Sequence, residues 1–159
     1  MRYLGLDLGT RTLGVSLSDT TLTIASAYGT IRFEDSDYDS LLPKIKEIIE
    51  EFNVQKIVLG LPKNMNNSLG FRAEETMEFQ KKLMDYLKME VVLQDERLST
   101  VEATNYMIQS DMSRKKRKKK IDSLAANIIL QTYLDKMKGW ISWKKKKLHL
   151  NYLTKTEKK

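Results

Sequence analysis

The hydrophobic pattern changes period along the first sixty residues. Residues 2 to 8, Arg-Tyr-Leu-Gly-Leu-Asp-Leu, form a short apolar run that stops at Gly9-Thr10-Arg11, and residues 13 to 18 resume in the same style. Two strands joined as a hairpin are expected there, with a third within residues 24 to 33. After an acidic stretch (Glu34, Asp35, Asp37, Asp39) the spacing lengthens: Leu41, Ile45, Ile48, Ile49 and Phe52 mark one face of a helix. Ser40 suits its N-cap and Pro43 its first turn. Lys56-Ile57-Val58-Leu59 then reads as a strand buried on both faces.

The segment from Gly60-Leu61-Pro62 to Gly70 is rich in turn formers, and the helix after it carries Phe79, Leu83 and Leu87 on one side as far as about Lys88. Val91-Val92-Leu93 is the fifth strand. Ser99 and Glu102 have capping-box spacing, which predicts a helix to about Ser110. A last helix is expected over 121 to 137, with Ile121, Leu124, Ala125, Ile128 and Ile129 facing the core. Three strands, then helix, strand, helix, strand and two helices describe an α/β domain with a five-stranded mixed sheet flanked by helices. Seven consecutive bases, Arg114 to Lys120, separate the last two helices, and their mutual repulsion predicts a loop. The domain is expected to span 1–137, leaving 138–159 as a basic C-terminal tail. Trp140 and Trp143, beside Lys144 to Lys147, are expected to pack against the domain, ahead of stacking on bases or touching a membrane surface.

Charge divides the chain more sharply than its net +7 indicates. Residues 1 to 110 hold 17 acids and 12 bases, whereas residues 111 to 159 hold 4 acids and 16 bases. A C-terminal part at +12 beside a remainder at −5 implies a polyanionic partner, with nucleic acid foremost. No apolar stretch is long enough to span a bilayer, and Asp7 interrupts any signal-peptide core, so a cytoplasmic protein without membrane attachment is expected. The absence of cysteine agrees with a reducing compartment and removes thiolate chemistry. One histidine, His149, lies in the basic tail, so neither a Ser-His-Asp triad nor a histidine metal cluster has its raw material. Chemistry must therefore rest on carboxylates, lysines or hydroxyls.

Among the carboxylates, Asp7 stands at the end of an apolar strand, where an unpaired charge is costly to bury. In open α/β sheets ligands collect beyond the carboxyl ends of strands, and Asp7, the 60–70 loop and Asp95-Glu96 all follow strands on that edge. Each acid taken singly also fits a turn cap or an arginine pair. Asp122, at the expected start of the last helix, fits a partner of the helix dipole equally well. Adjacent residues in an extended segment point opposite ways, so either Asp95 or Glu96 faces the site, and the spacing alone leaves the choice open. The Asp-x-Gly-Thr hairpin at residues 7–10 also occurs in ATPases of the actin and sugar-kinase type. Those need a second domain with another phosphate hairpin, and this chain supplies none.

Taken together, Asp7-x-Gly-Thr, Gly60-Leu61-Pro62 with Asn64-Met65 and Gly70, Asp95-Glu96-Arg97-Leu98-Ser99-Thr100, and Ile121-Asp122-Ser123-Leu124-Ala125-Ala126 resemble the YqgF/RuvX family. These are pre-16S rRNA nucleases also described as Holliday junction resolvase-like. The resemblance spans roughly residues 2 to 136 and implies an RNase H-like fold with Asp7, Glu96 and Asp122 as catalytic and metal-ligating residues. Hard oxygen donors without sulfur or imidazole suit Mg²⁺ or Mn²⁺. Two such ions about 4 Å apart serve in-line phosphodiester displacement, one activating water and the other the leaving oxygen. Asp7 is the expected bridging ligand.

Arg11, Lys63, Asn64 and Arg97 are the expected substrate contacts around that edge. Arg114, Lys115, Lys116 and Arg117, close before Asp122, would draw the phosphate backbone to the acids. The expected function is metal-dependent endonucleolytic processing of the 5′ end of 16S rRNA precursor, acting on structured RNA within a ribosomal precursor particle. Resolution of branched DNA is the second reading, and a nonenzymatic RNA-binding assembly factor the third.

Overall fold

Strand β1, Arg2–Leu8, lies at the centre of the sheet because both of its faces are apolar for most of its length. Leu4, Leu6 and Leu8 are buried on one side, while Tyr3 belongs to a separate cluster on the other. Alternation assigns Gly5 and Asp7 to the face of Tyr3. Around it the computed structural model describes residues 1–62, 70–95 and 114–157, and the side chains of these except in 114–122 and 150–157.

The sheet order is β3-β2-β1-β4-β5, with β2 Thr12–Ser18, β3 Ala25–Arg32, β4 Val54–Leu61 and β5 Val91–Asp95. β2 pairs antiparallel with β1 and β3, whereas β4 and β5 run parallel to β1. This is the five-stranded mixed sheet that the sequence predicts. Helices α1, Leu41–Phe52, and α2, Phe71–Leu87, cover one face. Leu41, Ile45, Ile48, Phe79 and Leu83 meet the leucine row of β1 and the matching rows of β2 and β4 there. Helix α3, Arg114–Glu157, covers the other face with Ile129, Leu130 and Leu134 against Tyr3 and Val58.

Three local details depart from the sequence reading. Ser40 is the N-cap residue of α1, as expected, but it also ends a short 3-10 turn, Tyr38–Ser40, and its side chain makes no capping bond. Its hydroxyl donates to the Asp37 carbonyl at 2.8 Å instead. The basic run is not a loop: residues 114–120 form the first turns of α3. Lysine and arginine are good helix formers, and the packed segment around 123–134 supplies the nucleus from which a helix propagates at little further cost. Finally, α3 continues past residue 137 to Glu157, and Trp140 and Trp143 are 57% and 55% exposed rather than packed on the domain. The helix expected over 99–110 lies outside the described residues.

Candidate active site

A close approach between sheet and helix sets the geometry. A Cβ on Gly5 would run into Ser16 Oγ and stand 2.7 Å from Leu130 Cβ and 3.0 Å from the Ala126 carbonyl oxygen. Only glycine lets α3 lie that near β1. Ser16, paired with Gly5 in the sheet, donates its hydroxyl to the Ala126 carbonyl at 2.9 Å. The crossing direction follows from successive contacts: the Tyr3 ring lies 6.2 Å from that of Tyr133, tilted against it, and Gly5 meets Leu130 and Ala126. Each two-residue step toward the carboxyl end of β1 therefore moves about one turn toward the start of α3. The next step on that face is Asp7, and the next turn of α3 holds Asp122 and buried Ser123.

Glycines flank Asp7 in the sheet. Gly14 pairs with it on β2, and Gly60 follows Leu59, the partner of Leu6, on β4. Asp7 is half-buried, and the positions flanking it in its row carry only hydrogen. Beyond it the chain turns tightly, with the Gly9 N–H donating to the Thr12 carbonyl at 2.8 Å. The Phe33 and Ser36 N–H groups bond to the Arg11 and Thr10 carbonyls at 3.0 and 2.9 Å, tying the hairpin tip to the chain after β3. Arg11 itself is exposed on the rim, 3.9 Å from the equally exposed Asp35. Such a pair adds little stability and leaves the guanidinium accessible.

On the opposite side of β1 the structure adds a residue the sequence reading passed over. Arg72, in the first turn of α2, donates from Nη2 to the Leu8 carbonyl at 2.8 Å and from Nη1 to Glu75 Oε2 at 3.1 Å. Tyr38 Oη also donates to Glu75 Oε2, at 3.0 Å, and burial, reinforced by that carboxylate, raises the Tyr38 hydroxyl above its ordinary pKa. The guanidinium thus clamps the backbone one residue beyond Asp7. A signal existed in the sequence: a cation in the first turn of a helix opposes the macrodipole and calls for another partner.

Strand parity separates the two acids after β5. Val91 and Leu93 pack into the cluster under α1 and α2, whereas Val92 packs toward α3 and Gln94 is buried on the same side as Val92. Asp95, paired with Leu61 at the edge, has the parity of Val91 and Leu93, opposite to Asp7. Glu96, Arg97, Lys63 and Asn64 lie outside the described residues. For Asp122 and for Arg114, Lys115, Lys116 and Arg117 only the backbone is described. That backbone already bears on Asp122: it is eight residues inside α3, more than two turns from the helix start, where the dipole no longer favours an acid.

Comparison with known proteins fixes the family. The family model for RuvX, Holliday junction resolvase, matches residues 1–136. The chain belongs to the RuvX family. Among relatives of this RuvX chain, a protein of Caldanaerobacter subterraneus subsp. tengcongensis named "Putative pre-16S rRNA nuclease" is 50% identical over 140 residues, covering 87% of this chain and 99% of its own. A Bacillus subtilis (strain 168) protein of the same name is 48% identical over 137 residues, covering 86% and 99%. Similar solved structures include T. thermophilus RuvC in complex with Holliday junction substrate, with TM-score 0.56, 13% identity, and coverage of 87% and 96%. Fowlpox virus resolvase with Holliday junction DNA gives 0.53, 15% identity, and coverage of 86% and 99%. These likenesses establish an RNase H-like fold for the RuvX chain. Residues after 136 lie outside the family match.

Proposed function

We propose that the chain hydrolyses phosphodiester bonds in structured RNA, processing the 5′ end of 16S rRNA precursor, with Asp7, Glu96 and Asp122 as its catalytic and metal-ligating acids. The observation that carries this reading is the position of Asp7. It lies one residue before the end of the central strand, sits between two glycines, and is on the face covered by the helix that carries Asp122. Asp95 has the parity of Val91 and Leu93, away from the face of Asp7, which counts against it as the third acid and supports Glu96.

The donor set fits a hard divalent cation. It offers carboxylate oxygens, the chain has no cysteine, and its one histidine is in the distal part of α3. Held by Asp7, Glu96 and Asp122, Mg²⁺ or Mn²⁺ supplies Lewis-acid polarisation of the phosphoryl group and a water activated at neutral pH. The chain's own residues do the rest. Arg114, Lys115, Lys116 and Arg117 begin the helix that reaches Asp122 about 12 Å later, so phosphates gathered there lie within two nucleotides or so of the acids. Bases in the first turns of a helix oppose the macrodipole, and a bound phosphate removes that conflict. Arg11, Lys63, Asn64 and Arg97 contribute further phosphate contacts around the same edge. A ribosomal precursor particle is the source of such an RNA, and its processing is cytoplasmic. Among the described residues no helix is long and apolar enough to cross a membrane.

The family description favours a second reading, cleavage of four-way DNA junctions. Incubating the purified protein with a precursor rRNA fragment and with a junction, in Mg²⁺, in Mn²⁺ and in chelator, separates them. Faster, chelator-sensitive cutting of the RNA supports the proposal. Symmetric nicking of the junction with RNA untouched moves the assignment to a resolvase, and binding without cleavage of either to an assembly factor.

A further inference from the structure

Helix α3 runs 21 residues past the end of the family match, from Met137 to Glu157, a length of about 30 Å. From Lys138 to His149 every side chain is exposed, including Trp140, Ile141, Trp143 and Leu148. Trp140 and Trp143 are the chain's only tryptophans. Each carries a lysine one turn later: Lys144 Nζ is 3.9 Å from the Trp140 ring centroid, and Lys147 Nζ is 4.8 Å from that of Trp143. An ammonium and an exposed indole side by side are the two groups that engage one unpaired nucleotide, through its phosphate and its base.

Other occupants fit less well. Lys144 to Lys147 are consecutive, and at about 100° per residue they encircle the helix. A helix with charge on every side has no apolar face to lay into a bilayer. Two copies of the same lysine cluster would repel each other. We propose that this helical extension is a second nucleic-acid contact, which stacks and neutralises an unpaired strand flanking the cleaved segment. The inference rests on the nuclease reading only for the origin of that strand, and its binding is measurable without cleavage.

Because both tryptophans belong to the extension, tryptophan fluorescence of the full-length protein, excited selectively over its tyrosines, reports on it alone. A single-stranded RNA of about 16 nucleotides should quench the emission and bind more tightly than a blunt duplex of equal charge. With labelled RNA, the double variant Trp140→Ala, Trp143→Ala should weaken single-strand affinity about ten-fold or more. Replacing Lys144 to Lys147 with glutamine should flatten the slope of log K against log salt by about 3. Circular dichroism equal to the parent's shows that either variant keeps its helix. Absent quenching, unchanged affinity in both variants, or a response to phosphatidylserine vesicles in place of RNA overturns the proposal. Loss of cleavage on every substrate with quenching intact would count against the nuclease reading alone.

Discussion

Ser16 on β2 and Ala126 on α3, 110 positions apart in the chain, are joined by a 2.9 Å hydrogen bond from hydroxyl to helix carbonyl. With Gly5 beside it, this bond fixes the height of α3 over the sheet, and so the height at which Asp122 passes Asp7. Two packed layers meet at one small residue per strand. Substitution there should disturb both stability and catalysis.

Gly5→Ala would normally favour a strand, by roughly 0.5–1 kcal/mol. Here the added methyl meets Leu130 Cβ and the Ala126 carbonyl, atoms whose positions the α3 backbone fixes, and overpacking costs about 1–3 kcal/mol. The clash should win. Thermal unfolding should show a lower midpoint than the parent, with reduced cleavage at temperatures where the variant is still folded. A midpoint at or above the parent's would mean that α3 is not seated on Gly5.

Asp95 lies on the face of the sheet away from Asp7, so the two neighbouring acids are expected to differ. Glu96→Gln should abolish cleavage while binding persists or tightens, because a repulsive charge is removed from the acidic cluster. Asp95→Asn, on the opposite face, should retain most activity. Single-turnover rates on one RNA substrate decide between them, and the reverse ranking would exchange their roles.

Arg72→Met removes the donor to the Leu8 carbonyl and leaves Glu75 with Tyr38 as its remaining partner. A loss of about 1–2 kcal/mol is expected, since the guanidinium is partly exposed. Cleavage should fall mainly in kcat, because the strand end carrying Asp7 loosens while the phosphate-binding bases are untouched. Arg72→Lys should recover part of the rate. A variant with parent kcat and raised KM would instead place Arg72 in contact with substrate.

Away from this edge, one described carboxylate is strongly shifted. Asp19 accepts from the Thr21 hydroxyl and from the Ile24 and Thr23 N–H groups, which hold its pKa at about 2 against an ordinary 3.8. It follows β2, at the sheet edge away from Asp7. A depressed pKa contributes stability that is fully present above pH 3.8 and is lost as pH falls through about 2. The gap in denaturant midpoint between parent and Asp19→Asn should therefore be constant at neutral pH and close between pH 4 and pH 2. Cleavage at neutral pH should not change.

Several parts of this arrangement were legible in the chain. Period-two and period-three-to-four runs placed all five strands and both helices of the α1–α2 face, since burial on one side of an element imposes its repeat on the sequence. Linked motifs around Asp7, Asp95-Glu96 and Asp122 identified the family over residues that the family model also matches. Other features were visible only after folding. Whether Asp122 caps a helix or lies within one depended on where α3 begins, and repulsion among seven bases gave the wrong answer because packing of residues 123–134 outweighs it. Arg72 showed no role until β1 and α2 were brought together, 64 positions apart. Trp140 and Trp143 had the composition of core residues, but α3 leaves the sheet after Leu134 and Met137, so no layer remains to cover them. The sequence by itself determined which residues repeat with which period and which chemistry they offer. Tertiary structure decided which of them share a face, because sheet order and the seating of a helix depend on contacts between residues far apart in the chain.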